Sequence, residues 1–131
     1  QHRLDHGHRL PQTGSRVDDF KIPVLWLGGA LKQKGIVINK TASQLDIAAT
    51  LVQQTGFTTN PFPWSRNLLA GGSQWAYFCF NNGFGYVEPS KYYLFDNVGK
   101  QPMDKNGTLI ETDFNKGKSI QQESFTDYLE K

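Results

Sequence analysis

The sequence holds one cysteine and one methionine in 131 residues. A lone Cys79 excludes an internal disulfide framework and any zinc site built from several cysteines, and it leaves the redox compartment open. Long hydrophobic runs are also missing. None approaches the roughly 20 apolar residues that span a bilayer, so the chain reads as soluble with no membrane span of its own. From Gln1 to Arg9 the N-terminus is polar and basic, without the apolar core of a signal peptide. Charge of one sign is not in excess: 14 Lys and Arg stand against 12 Asp and Glu, a formal net charge of +2. The signs alternate from Arg16 onward, which is not the basic stripe of a nucleic-acid binder. No histidine follows position 8, so neither a serine nor Cys79 finds a triad partner along the chain, and no G-x-S-x-G elbow is present.

What is present suffices for one folded unit. With 37% hydrophobic and 13% aromatic residues, a chain of this size buries roughly two-thirds of its unfolded surface. Residues 1–20 show almost no apolar periodicity and read as a loop or mobile end. KIPVLWL over 21–27, stopped by Gly28-Gly29, predicts a buried strand with Pro23 at its beginning or on an edge, and 35–38 suggests another. Residues 43–55 predict a helix: Ser43 can cap it, Asp46 sits near its positive end, Gly56 closes it, and Leu45, Ala48, Ala49 and Val52 form its buried stripe. Residues 58–73, with three prolines or glycine pairs around Phe62 and Trp64, read as an ordered loop. Residues 74–96 predict a hairpin or meander turning at Asn81-Asn82-Gly83 and Pro89-Ser90. A smaller hairpin is expected about Asn106-Gly107, and a C-terminal helix over Ile120, Phe125, Tyr128 and Leu129.

The chief chemical signal is the clustering of all three histidines in His2-Arg3-Leu4-Asp5-His6-Gly7-His8-Arg9. An adjacent Asp5-His6 pair offers an oxygen and an imidazole to one cation, with Gly7 allowing a tight turn beside it. The same spacing also describes a mobile, His-rich end that takes up transition metals adventitiously. A catalytic metal needs three or four protein ligands, and further ones are not assignable from the residues alone. Cys79, flanked by aromatics in a predicted strand, reads as core and not as a nucleophile. Asp46 reads as a first-turn carboxylate that complements the helix dipole rather than as a ligand or base. The aromatics from Trp75 to Phe95 fill a core or, alternatively, form a stacking platform for glycans or a protein partner; their alternation places rings on both faces of a sheet.

Three segments in order, Asp5-His6-Gly7-His8-Arg9-Leu10-Pro11, Phe20-Lys21-Ile22-Pro23-Val24-Leu25-Trp26 and Ser43-Gln44-Leu45-Asp46-Ile47-Ala48-Ala49-Thr50-Leu51 with Gly56, resemble the C-terminal part of sulfatase-like enzymes. Within these, the resemblance is to the lipoteichoic acid synthase and phosphoglycerol transferase branch of the alkaline phosphatase superfamily. Phe80-Asn81-Asn82-Gly83-Phe84-Gly85-Tyr86 is similar to a late strand pair of bacterial members. The resemblance covers roughly residues 4 to 96.

It implies an α/β fold: the C-terminal part of an alkaline-phosphatase-like domain, with one central-sheet strand, a packing helix, a small antiparallel sheet and a C-terminal helix, residues 1–131 forming a single C-terminal subdomain. It implies that Asp5 and His6 are metal ligands and that His8 and Arg9 face substrate. The cation implied is manganese or magnesium in a phosphoglycerol transferase and calcium in a true sulfatase. Two-zinc relatives have a histidine where this chain has Gln44, so a one-metal site is expected. The nucleophile and the remaining ligands belong to the N-terminal part of the same enzyme, which is the implied partner together with a phosphate or sulfate ester. The location implied is the extracytoplasmic face of a bacterial membrane. The alternative is a stand-alone glycan- or protein-binding module built on the aromatic sheet.

Overall fold

The computed structural model describes residues 16–29, 34–58 and 61–130. Among these the chain runs through a 3₁₀ turn Val17–Phe20, helix α1 Asp46–Gln54, strands β1 Ala76–Phe80, β2 Gly83–Glu88, β3 Lys91–Asp96 and β4 Gln101–Asn106, and helix α2 Glu111–Leu129. The four strands form one antiparallel meander in the order β1-β2-β3-β4. This is a small mixed α/β unit, with a sheet, one helix on its face and a second helix whose preceding residue Ser43 is bonded to the edge strand β1.

The meander follows from its residues. Aromatic and β-branched side chains fill 76–96, and short polar turns separate the runs. The register sets Tyr77 against Tyr86 and Tyr86 against Tyr93, and likewise Phe84 against Phe95. By strand alternation these rings share one face, and α2 covers it through Phe114 and Ile120. The Tyr93 and Phe114 rings lie 4.8 Å apart, and Tyr93 Oη donates to the Asp113 carbonyl at 2.7 Å. Gly117 permits this approach, since a Cβ there would stand 2.3 Å from both Phe84 Cε2 and Tyr93 Oη.

On the opposite face β2 offers Gly83 and Gly85. The Phe78 ring fills the space over Gly85 and the Phe80 ring that over Gly83, each where a Cβ would collide. Phe20 of the 3₁₀ turn then stacks on Phe78 at 4.6 Å and meets Phe80 at 5.5 Å. The Val17 amide donates to Asp104 Oδ2 of β4 at 3.0 Å, which ties the same turn across the sheet.

Both sheet edges are managed. On β1 the Ser43 hydroxyl accepts from the Tyr77 amide at 2.7 Å and donates to the Tyr77 carbonyl at 2.8 Å, standing in for a neighbouring strand. On β4, Pro102 and a register shift between Leu94 and Phe95 interrupt the ladder.

The structure corrects several expectations. Residues 21–27 form no strand, and Ile22, Val24, Leu25 and Leu27 are exposed, Leu25 at 82%. Residues 35–38 are likewise exposed and form no strand. A strand apolar on both faces requires a neighbour, and 21–27 pairs with neither edge of the only sheet among the described residues. No hairpin turns at Asn106-Gly107: Met103 and Lys105 belong to β4, and Gly107, at φ +84°, redirects the chain into α2. A Cβ at Gly107 would lie 2.6 Å from the Ser90 carbonyl oxygen, so glycine is needed for space as well as conformation. Helix α2 begins at Glu111, well before the apolar residues that predicted it. Helix α1 starts at Asp46, three residues after the expected cap.

Candidate functional site

The sequence-predicted site residues Asp5, His6, His8 and Arg9 lie outside the described residues. What the described residues do show is how the segments after them are held, and which polar groups are free for chemistry.

The densest polar cluster joins α1 to the loop before β1. Asp46 is 1% exposed and accepts at both carboxylate oxygens. Its partners are the Ser43 amide at 2.9 Å, the Arg66 amide at 2.9 Å, Arg66 Nε at 3.0 Å and Arg66 Nη2 at 2.6 Å. Arg66 also donates to the carbonyls of Ser73 and Trp75, and its guanidinium carbon sits 3.9 Å over the Trp75 ring. The planar fork of arginine meets carboxylate, carbonyls and indole at once, which a lysine cannot do. Ser65 Oγ accepts from the Ala49 amide at 2.8 Å and donates to the Leu45 carbonyl at 2.6 Å, bridging the first turn of α1. Thr50 Oγ1 donates to the Asp46 carbonyl and accepts from the Leu68 amide. Asp46 therefore caps and anchors, and its oxygens are occupied. The expected capping carboxylate is present, while the Ser43 hydroxyl serves β1 rather than the helix.

A second buried carboxylate opens α2 in the same manner. Asp113 is also 1% exposed and accepts from the Ile110 amide at 3.0 Å and from Lys91 Nζ at 2.7 Å. The Lys91 ammonium and the Ile110 amide hold its carboxyl below the usual range. Lys91 reaches Glu88 at 3.5 Å and Lys116 reaches Glu88 at 3.4 Å. At Glu88 burial pushes the carboxyl up, but the Tyr86 hydroxyl and the two lysines prevail and the net shift is downward. Sequence reading missed Asp113, because the residue three positions earlier is Ile110 and not a serine or threonine. The carboxylate three residues beyond the helix boundary was the available sign.

Among the described residues there is no histidine to serve Cys79 as a base. Cys79 is exposed, not core: β1 is an edge strand, and at this position no helix covers it. Its Sγ lies 3.3 Å from Tyr77 Oη, and burial raises the Tyr77 phenol far above its ordinary range, so that hydroxyl is no base. The rings of the sheet are not an open platform. Tyr77, Phe84, Tyr86, Tyr93 and Phe95 are buried, and Trp75, Phe78, Phe80 and Tyr92 are half-buried. Stacking through Trp75–Tyr86, Tyr77–Phe84 and Phe84–Phe95 uses them to hold the sheet.

Among the described residues no group of three or more His, Cys, Asp or Glu side chains could hold a metal ion. No helix among them is long and apolar enough to cross a membrane. Searches of family models, curated proteins and solved structures find nothing that this chain matches.

Proposed function

We propose that this chain is the C-terminal part of a metal-dependent sulfatase-like hydrolase or phosphoglycerol transferase acting on phosphate or sulfate esters. In this reading Asp5 and His6 are two ligands of a divalent cation, manganese or magnesium for a transferase and calcium for a sulfatase. His8 and Arg9 face the ester. The other ligands and the nucleophile come from the N-terminal part of the enzyme, which works on the extracytoplasmic face of a bacterial membrane. When bound, the cation supplies charge neutralisation at the phosphoryl or sulfuryl oxygens during in-line displacement. The residues of this chain contribute by fixing an oxygen and an imidazole side by side.

The observation that carries the reading is the largely exposed apolar run 22–27, which follows the Asp5-His6 pair after fifteen residues. Isolated exposed apolar residues are ordinary, but a contiguous run marks a surface meant to be covered. A larger α/β body would cover it as a strand of its central sheet and so bring Asp5 and His6 beside the strand's end.

Activity of the whole enzyme tests this. Asp5→Ala and His6→Ala are each expected to lower turnover of p-nitrophenyl sulfate or of a phosphatidylglycerol donor by about 100-fold or more, since losing a group that merely hydrogen-bonds a metal ligand already costs about 10–100-fold. The 131-residue chain alone is expected to turn over neither. Whole-enzyme activity indifferent to Asp5→Ala, or turnover by the chain alone that Asp5→Ala abolishes, overturns the reading.

A further inference from the structure

An open cleft of about 500 Å³ lies between the β3–β4 turn and the outer half of α2. One wall is a single helical stripe: Lys118, Gln121, Gln122 and Phe125 follow the i, i+3, i+4, i+7 spacing that aligns side chains on one face. The other wall is the turn, which contributes Asn97 and Lys100, and the Phe95 ring forms the floor.

Lys100 has φ +53° and is the only non-glycine among the described residues in the left-handed region. That conformation suits glycine, and Gly99 stands one position too early to take it. A side chain is therefore held at a position where the backbone would prefer none.

Across from it, Lys118 Nζ sits 4.8 Å over the Phe95 ring. Among the described residues neither Lys100 nor Lys118 pairs with a carboxylate, and no carboxylate lines the cleft. Among the described residues the cleft thus has two ammonium groups not paired with a carboxylate, that of Lys118 lying over Phe95, and no carboxylate in its lining. Asn97, Gln121 and Gln122 add carboxamides, each able to donate and to accept, which matches hydroxyl groups better than carbonyls alone. Phe125 is 59% exposed and presents a ring to the same space.

We propose that this cleft binds an anionic saccharide: a pyranose unit whose carboxylate or phosphate lies between Lys100 and Lys118. Its hydroxyls meet the three carboxamides, and its apolar face lies on Phe125. The proposal is independent of the ester-cleaving reading, since none of these residues belongs to the Asp5-His6 motif.

Amide-resolved NMR titration of the full chain tests it, with trigalacturonate and N-acetylglucosamine 6-phosphate as anionic arms and maltotriose, inorganic phosphate and pentaglutamate as controls. Saturable shifts confined to 97–101 and 118–125 are expected for at least one anionic sugar, and which one responds distinguishes carboxylate from phosphate. Maltotriose is expected to bind about tenfold more weakly, and Lys100→Ala combined with Lys118→Ala to weaken the anionic sugar by about tenfold or more, equivalent to a net 1.4 kcal/mol. Phe125→Leu, at an exposed position that leaves the fold intact, is expected to weaken it about threefold. The proposal is overturned if neither anionic sugar shifts these amides, if maltotriose, phosphate alone or pentaglutamate binds as tightly, or if the double variant binds unchanged.

Discussion

Asp46 and Asp113 occupy equivalent places in two different junctions. Each carboxylate stands in the first turn of its helix, is almost wholly buried, and reaches back to the amide three residues earlier. Each faces a cation from another element. The cations differ: Arg66 grips Asp46 through three nitrogens and stacks on Trp75, whereas Lys91 gives Asp113 one contact and shares itself with Glu88. The helices differ in parallel. Helix α2 packs along the sheet through Phe114, Gly117 and Ile120, and needs its carboxylate only to fix one end. Helix α1 has nine residues, none of them in the hydrophobic core cluster, so its place depends on the Asp46–Arg66 cluster. Where apolar contact is scarce, polar geometry determines position.

The strongest challenge to this contrast is removal of each carboxylate, read as the urea unfolding midpoint. Asp46→Ala is expected to cost about 3–5 kcal/mol, the range for a buried pair broken on one side. Asp113→Ala is expected to cost about 1–3 kcal/mol, as for a lost charged hydrogen bond. Equal losses would show that the two junctions do the same work.

Next in size is Arg66→Lys, which keeps the charge and removes the fork. A loss of about 2 kcal/mol is expected, with quenching or shift of Trp75 fluorescence as its ring loses the guanidinium. A neutral result would mean that charge alone anchors α1.

Smaller again are the hydroxyl deletions, one at each junction. Ser43→Ala removes the stand-in partner of β1, and Tyr93→Phe removes the bond to the Asp113 carbonyl. Each is expected to cost about 1 kcal/mol by the same denaturation. Hydrogen exchange separates them: Ser43→Ala should speed exchange of the Tyr77 amide, and Tyr93→Phe should leave it unchanged.

The smallest expected effect is acid dependence at the α2 junction. Asp113 and Glu88 have carboxyls lowered in the folded state. The stability they contribute is complete above the ordinary carboxylate range and is lost as pH falls through that range into the lowered values. The unfolding midpoint should drop between pH 5 and pH 3, an approximate window set by free carboxylates, and Asp113→Asn should flatten the slope. An unchanged slope would assign the acid sensitivity to other carboxylates.

Much of the fold was legible in local signals. The meander follows from aromatic runs cut by Asn81-Asn82 and Pro89-Ser90, and α1 from the helical spacing closed by Gly56; its buried face, however, is Asp46, Ala49 and Thr50, while Leu45, expected in the buried stripe, is exposed. The fourth strand was not legible, because Gln101–Asn106 is polar and contains Pro102; it exists by pairing with β3 across a bulge. Residues 21–27 misled in the opposite way. Their composition states that they are to be buried, and composition cannot say against what. The same limit applies to chemistry. Asp46 was read correctly as an anchor from its helix position, while Arg66, twenty residues away, gave no sign of being its partner. The Lys100–Phe125 cleft joins a turn to a helix, and no spacing along the chain brings those two together.

The Phe78 ring lies flat only because Gly85, its cross-strand neighbour, has no side chain, and Phe20 rests on that ring. The footing of the chain's early segment thus rests on a glycine 65 residues further along: any side chain at position 85 would displace the ring on which Phe20 lies.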